Sequence, residues 1–325
     1  MIDTGICGKK RKERRKMQNK SILQNKIMVV FLAMICCLLW GSAFPCIKIG
    51  YQLFQIASAD TATQILFAGI RFTCAGVLVI LAGSLLAGKW LLPDKKEAVH
   101  ALLLCFFQTV LQYVLFYVGL AHTSGVKASI IEGMNVFLTI LIAGGIFHLE
   151  KITLQKMIGC LVGFAGVVLI QLTGSGLGGK ITFFGEGFLL LSTVAAALSS
   201  VFIKWFSRTD RPVVLSGCQF FIGGLIMTAG GIAGGGSLAM HDGKQAGILF
   251  YLACISAIAY TLWGILLKYN PVATVAVYGF LNPFCGVFLS AILLGETGQA
   301  FRLQSLAALV LVCAGIVIVN RTKEE

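Results

Sequence analysis

Apolar residues in this chain fall into ten runs, near 27–50, 63–87, 98–120, 125–147, 152–172, 186–206, 212–233, 246–267, 272–294 and 302–320, separated by short polar joints. A helix that crosses a bilayer needs roughly 20 mostly apolar residues. Inside lipid the backbone can satisfy its hydrogen bonds only in helices or closed barrels. The pattern therefore predicts an all-α integral membrane protein of ten transmembrane helices. No joint is long enough to hold a soluble domain.

The second five runs repeat the first five. TVLQYVLFYVGL from Thr109 matches SAIAYTLWGILL from Ser256 at an offset of 147, which carries Tyr113 onto Tyr260 and Asn135 onto Asn282. Arg71-Phe72 falls on Gln219-Phe220 at 148, and Ile47-Lys48 falls on Ile203-Lys204 at 156. An odd number of crossings per repeat turns the second half over relative to the first. Two inverted five-helix repeats are expected, 27–172 and 186–320, between a basic tail (1–26) and a short tail (321–325).

Composition agrees with this pattern. Hydrophobic residues make up 58% of the chain and charged ones 12%, against about 25% charge in soluble domains. Mean hydropathy is +0.90. With the N-terminus inside, the cytoplasmic joints and C-tail carry Lys89, Lys95, Lys96, Lys151, Lys156, Lys204, Arg208, Arg211, Lys268, Arg321 and Lys323. The opposite side carries Lys127, Lys180, Lys244 and Arg302. Basic residues concentrate on the cytoplasmic side of membrane proteins, so both termini are expected in the cytoplasm of a plasma or inner membrane.

Other chemistries find little support. The tail KKRKERRK (9–16) reads as a topogenic, lipid-contacting segment and not a nucleic-acid patch. Met1, Met17 and Met28 are each candidate starts. No cleavage site follows the first run, so it is not read as a signal peptide. All cysteines except Cys7 fall in apolar runs, with no Cys/His spacing for a metal. His100, His122, His148 and His241 sit at span ends or in joints. Gly234-Gly235-Gly236 lacks the Lys-Ser/Thr of a phosphate loop. No catalytic set, metal or cofactor is expected. Gly159, Gly163 and Gly166, with Ala314-Gly315 in the equivalent place, read as helix-packing faces.

LLWGSAFPCIKIG in span 1, AGIRF in span 2, and Glu150 and Glu296 ahead of GFAGVVLI and VCAGIVIV resemble the drug/metabolite transporter superfamily, more narrowly its ten-span, duplicated EamA-type permeases. The resemblance covers about 27–320. Pro283 matches the proline late in each repeat of that pattern, whereas the first half has Val136. The resemblance implies a secondary transporter with a central cavity and no ATP-binding module, often an exporter of amino acids or small metabolites.

Polar groups at membrane depth point to a site. An ionisable residue there costs roughly 2.5–3.5 kcal/mol on insertion scales and marks a pathway or a partner. Arg71 and Glu132 both lie roughly 10–12 Å below the outer boundary at about 1.5 Å per residue, so a direct pair is geometrically feasible. Ser129, Glu132, Asn135 and Thr139 share one face of span 4. Span 3 adds Gln108, Gln112, Tyr113 and Tyr117. Span 8 adds Ser256, Tyr260 and Trp263, and span 9 adds Asn282.

Arg71, Gln108, Gln112, Tyr113, Glu132, Asn135, Tyr260, Trp263 and Asn282 are thus the candidate substrate-binding set. Pro45, which frees a backbone carbonyl in span 1, and Lys48 are candidate gating residues. Glu150 and Glu296 could each cap the next span.

The expected partners are a small-molecule substrate and the bilayer, with Glu132 a candidate carrier of a coupling proton, no nucleic acid, and a monomer or homodimer as the unit. The leading expectation is secondary active export of amino acids or related metabolites by alternating access. A facilitative channel and a multidrug or quaternary-cation exporter are the alternatives. An intramembrane enzyme is more remote, since no nucleophile–base or metal cluster lies at membrane depth.

Overall fold

The structure is a computed structural model that describes residues 22–57, 59–121, 125–172, 182–293 and 303–321. Most of the basic tail, with Met1, Met17 and Cys7, lies outside the described residues, as do His122, Lys180, Glu296, Arg302 and everything after Arg321.

Every regular element among the described residues is helical. α1 (Lys26–Leu53) and α2 (Thr61–Ala87) are followed by α3 (Lys95–Leu104), which passes through a π-helical turn (Cys105–Leu111) into α4 (Gln112–Ala121). Then come α5 (Gly125–Leu141), with a π-helical turn at Ile142–Ile146, and α6 (Leu154–Leu172). The second half holds α7 (Phe188–Phe206), entered through the π-helical turn Phe183–Gly187, then α8 (Pro212–Ala233) and α9 (Gly243–Tyr269). α10 (Val272–Ala276) tightens through a 3-10 turn (Val277–Phe280) into α11 (Leu281–Leu293), and α12 (Leu303–Arg321) closes the chain. Among the described residues six helices are long and apolar enough to cross a membrane, and four apolar stretches are shorter: Ile131–Ile146, Leu154–Leu169, Val272–Gly286 and Val310–Arg321.

Local chemistry sets the ends. Asn25 and Asp60 accept hydrogen bonds from Ile27 N and Thr63 N and so satisfy free donors at the starts of α1 and α2. α3 and α9 both begin in reciprocal capping boxes, Asp94 with Glu97 and Asp242 with Gln245. These boxes stand at an offset of 148, whereas Tyr113 and Tyr260 stand at 147. The π-helical turn between Glu97 and Tyr113 carries one extra residue and accounts for the slip.

Duplicated helices pack on each other, and they do so antiparallel. α2 lies along α8 with Gly69 against Thr228, Gly76 against Phe221 and Gly83 against Val213. In return Gly217 meets Ile80, Gly224 meets Thr73, and Gly231 meets Leu66. Both helices place glycine every seventh residue, and the two sets coincide at the offset of 148. Without side chains the backbones approach closely, which drives helix association where lipid removes the hydrophobic difference. α6 and α12 repeat the device: Gly159 lies against Gly315 and Val319, and Gly166 against Ala308 and Val312. The contacts of each half's first span with the opposite half also survive exchange of the halves. α1 packs on α9 and α11, while α7 packs on α3, α4 and α5.

α1 runs unbroken through the buried Pro45, and Lys48 is exposed. Lys204 donates to the Asn270 carbonyl oxygen at 2.5 Å. Among the described residues the Glu150 side chain makes no hydrogen bond to the backbone of the helix that follows it. Its carboxylate accepts from Ala273 N at the start of α10 and pairs with the buried Lys156 at 3.0 Å, tying the two halves together.

Candidate functional site

α2, α4, α8 and α9 converge on a cluster built from duplicated positions. Phe72 and its counterpart Phe220 stack with ring centroids 5.5 Å apart. Tyr113 and its counterpart Tyr260 meet hydroxyl to hydroxyl at 2.5 Å. Phe72 packs on Tyr113 at 4.6 Å, and Phe220 packs on Tyr260 at 5.0 Å, the same contact in each half. Trp40 of α1 extends the cluster, edge-on to Tyr260 at 5.1 Å and to Trp263 at 5.0 Å.

The symmetry breaks at one charge. Arg71 is 3% exposed, and its Nε and Nη2 donate to Ser256 Oγ at 3.1 and 3.0 Å. The exchanged contact is neutral: Gln219 Nε2 donates to Gln108 Oε1 at 2.5 Å. Gln219 is the counterpart of Arg71 at the offset of 148, which also carries Gln108 onto Ser256; at 147, past the π-helical turn, Ser256 falls on Thr109. The Arg71 guanidinium carbon lies 5.1 Å from the Phe72 ring centroid, and Nη1 is buried with no hydrogen-bond partner among the described residues.

Arg71 and Glu132 do not form the direct pair that equal depth suggested; no ion pair joins them among the described residues. Depth fixes only one coordinate. α5, which carries Glu132, packs on α6 and α7, whereas α2 packs on α8 and α9.

Of the remaining candidates, Trp263 joins the cluster through Trp40, and Gln108 through Gln219 next to Phe220. Asn135 turns inward on its own helix and accepts from Thr139 Oγ1 at 3.1 Å. Gln112 gives its backbone oxygen to Ser192. The side-chain oxygens of Gln112 and Asn282 are buried without partners among the described residues, as is Trp40 Nε1. Ser256 was legible as a polar neighbour of Tyr260, but its role in holding Arg71 was not. Trp40, Phe72 and Phe220 escaped the sequence reading, because aromatic residues in apolar runs look like packing. Among the described residues no group of three or more His, Cys, Asp or Glu could hold a metal ion.

These features define a multi-pass helical membrane protein with a polar, aromatic-lined centre between duplicated halves. The model of the EamA-like transporter family matches twice, over residues 27–172 and 183–321, and the chain belongs to that family. The chain is 26% identical over 301 residues to the uncharacterised transporter YvbV of Bacillus subtilis, covering 91% of this chain and 92% of the relative. It is also 26% identical over 298 residues to a protein of Salmonella typhimurium named a probable amino-acid metabolite efflux pump, with 89% and 93% covered. A solved structure shares the fold at a TM-score of 0.72 and 19% identity, over 89% of this chain and 95% of that one. The protein is thus a membrane transporter and not an enzyme.

Proposed function

We propose that the chain is a secondary active transporter that exports amino acids or related small metabolites by alternating access. In this reading ten crossings form two inverted five-helix repeats, with both termini in the cytoplasm. The observation that carries it is the antiparallel packing of each duplicated pair, α2 on α8 and α6 on α12. Duplicates related by an axis in the membrane plane must run antiparallel; an axis along the membrane normal would make them parallel. The cluster of Phe72, Phe220, Tyr113 and Tyr260 then sits where the halves meet, the place at which rocking of one repeat against the other exposes a site to each side in turn. The excess of cytoplasmic lysine and arginine supports the orientation. The Salmonella relative's name supports the substrate class.

Vesicles containing the purified protein, preloaded with amino acids, are expected to show saturable counterflow of labelled substrate without nucleotide. Flux that needs ATP, or flux that rises linearly with concentration as through a pore, would defeat the proposal.

A further inference from the structure

We propose that Arg71 is the anchor for a carboxylate on the transported solute, so that the substrate is an organic anion or zwitterion with an apolar body. This deepens the transporter reading and rests on it for flux, though not for binding.

A guanidinium stays charged at any pH a protein meets. Arg71 is nonetheless buried at membrane depth, and among the described residues it has no acidic partner. Ser256 holds two of its three nitrogens through a single hydroxyl oxygen, fixing the fork and leaving Nη1 free. A neutral hydroxyl fixes the fork's direction and does nothing to neutralise its charge. The counterpart pair, Gln219 with Gln108, shows that this position can be filled without a charge. The charge in the first half therefore calls for a counter-charge that the packed residues do not supply.

A carboxylate meets the need, since its two oxygens match the planar fork. Trp40 Nε1 is a further buried donor with no acceptor among the described residues. The half-buried rings of Trp40, Tyr113 and Tyr260 offer an apolar face beside these donors. A quaternary cation would meet the Arg71 charge with repulsion, which sets that alternative aside.

Three probes of one skeleton test the assignment: 3-phenylpropanoate, 3-phenylpropanamide and 3-phenylpropylammonium. Their binding to the purified full-length protein is read by tryptophan fluorescence and thermal shift. The carboxylate is expected to bind roughly tenfold or more tightly than either of the others. Arg71→Gln is expected to erase the preference. Arg71→Lys, which keeps the charge and loses the fork, reduces it several-fold and decides the matter if Arg71→Gln does not fold. Ser256→Ala weakens it less.

Equal binding of amide and carboxylate to the unaltered protein overturns the proposal. So does a preference that survives in a folded Arg71→Gln variant, or in Arg71→Lys undiminished. Absence of binding by all three probes also overturns it. Carboxylate binding without flux leaves this site standing and defeats the transport reading. Flux that is indifferent to charge does the reverse.

Discussion

Gly224→Ala is expected to destabilise the protein by more than about 2 kcal/mol, and Gly224→Leu to prevent folding, while Gly230→Ala on the same helix is harmless. A β-carbon on Gly224 would stand 2.2 Å from Thr73 N and 2.8 Å from the Gly69 carbonyl oxygen. Overpacking usually costs about 1–3 kcal/mol, with side chains yielding to make room. Here the obstacle is backbone of the facing helix, so relief comes only by moving α2 away from α8. Gly230 has open space where its β-carbon would lie. Alanine there gains up to about 1 kcal/mol of helix propensity. The two alanine variants differ only in what the new methyl meets. Thermal unfolding in detergent measures both; equal melting temperatures would disprove close backbone packing of α2 on α8.

The duplicated halves were readable because apolar run length and repeated residues are properties of the chain itself. The end of α2 in a left-handed Gly88 and the starts of α3 and α9 fall where Asp, Glu and Gly stand in the sequence. The seven-residue glycine spacing was equally present, but its meaning needs two helices at once. Gly69, Gly76 and Gly83 look like scattered small residues until Gly217, Gly224 and Gly231 are laid against them in reverse.

The site was legible as a collection of polar groups, and Arg71, Tyr113 and Tyr260 do come together. Which side chain meets which was not legible. Arg71 and Glu132 share a depth, yet the helices that carry them belong to different packing partners, so Ser256 reaches the guanidinium first. The register slip from 148 to 147 has the same origin: an extra residue absorbed by a π-helical turn is invisible until the hydrogen bonds are seen.

Neutralising Glu97 is expected to loosen one face of the transporter far more than the equivalent change loosens the other. Glu97 closes the capping box of α3 and also reaches across to the second half. It receives Arg211 Nε at 2.8 Å, Arg211 Nη2 at 2.5 Å and the Arg211 backbone N at 3.1 Å. Arg211 in turn donates to the Leu92 carbonyl oxygen, and the neighbouring Asp210 takes His100 Nδ1 at 2.5 Å and Lys96 at 4.0 Å. The counterpart, Gln245, crosses in the opposite sense but makes a single neutral bond, from Nε2 to the Leu53 carbonyl oxygen at 2.8 Å. Each repeat thus fastens its third span to the other repeat, one fastening ionic and the other neutral. Arg211 is 41% exposed, so water screens the pair, and hydrogen bonds to a charged group contribute about 1.5–3 kcal/mol. Glu97→Gln then shifts an opening equilibrium at that face roughly tenfold or more, whereas Gln245→Ala, at about 1 kcal/mol, shifts its own face less. Hydrogen–deuterium exchange reads both faces in one experiment. Faster exchange is expected near residues 95–100 and 207–211 in Glu97→Gln, with residues 242–246 unchanged. Equal acceleration in both variants at their own faces would mean that the charge adds nothing to the fastening.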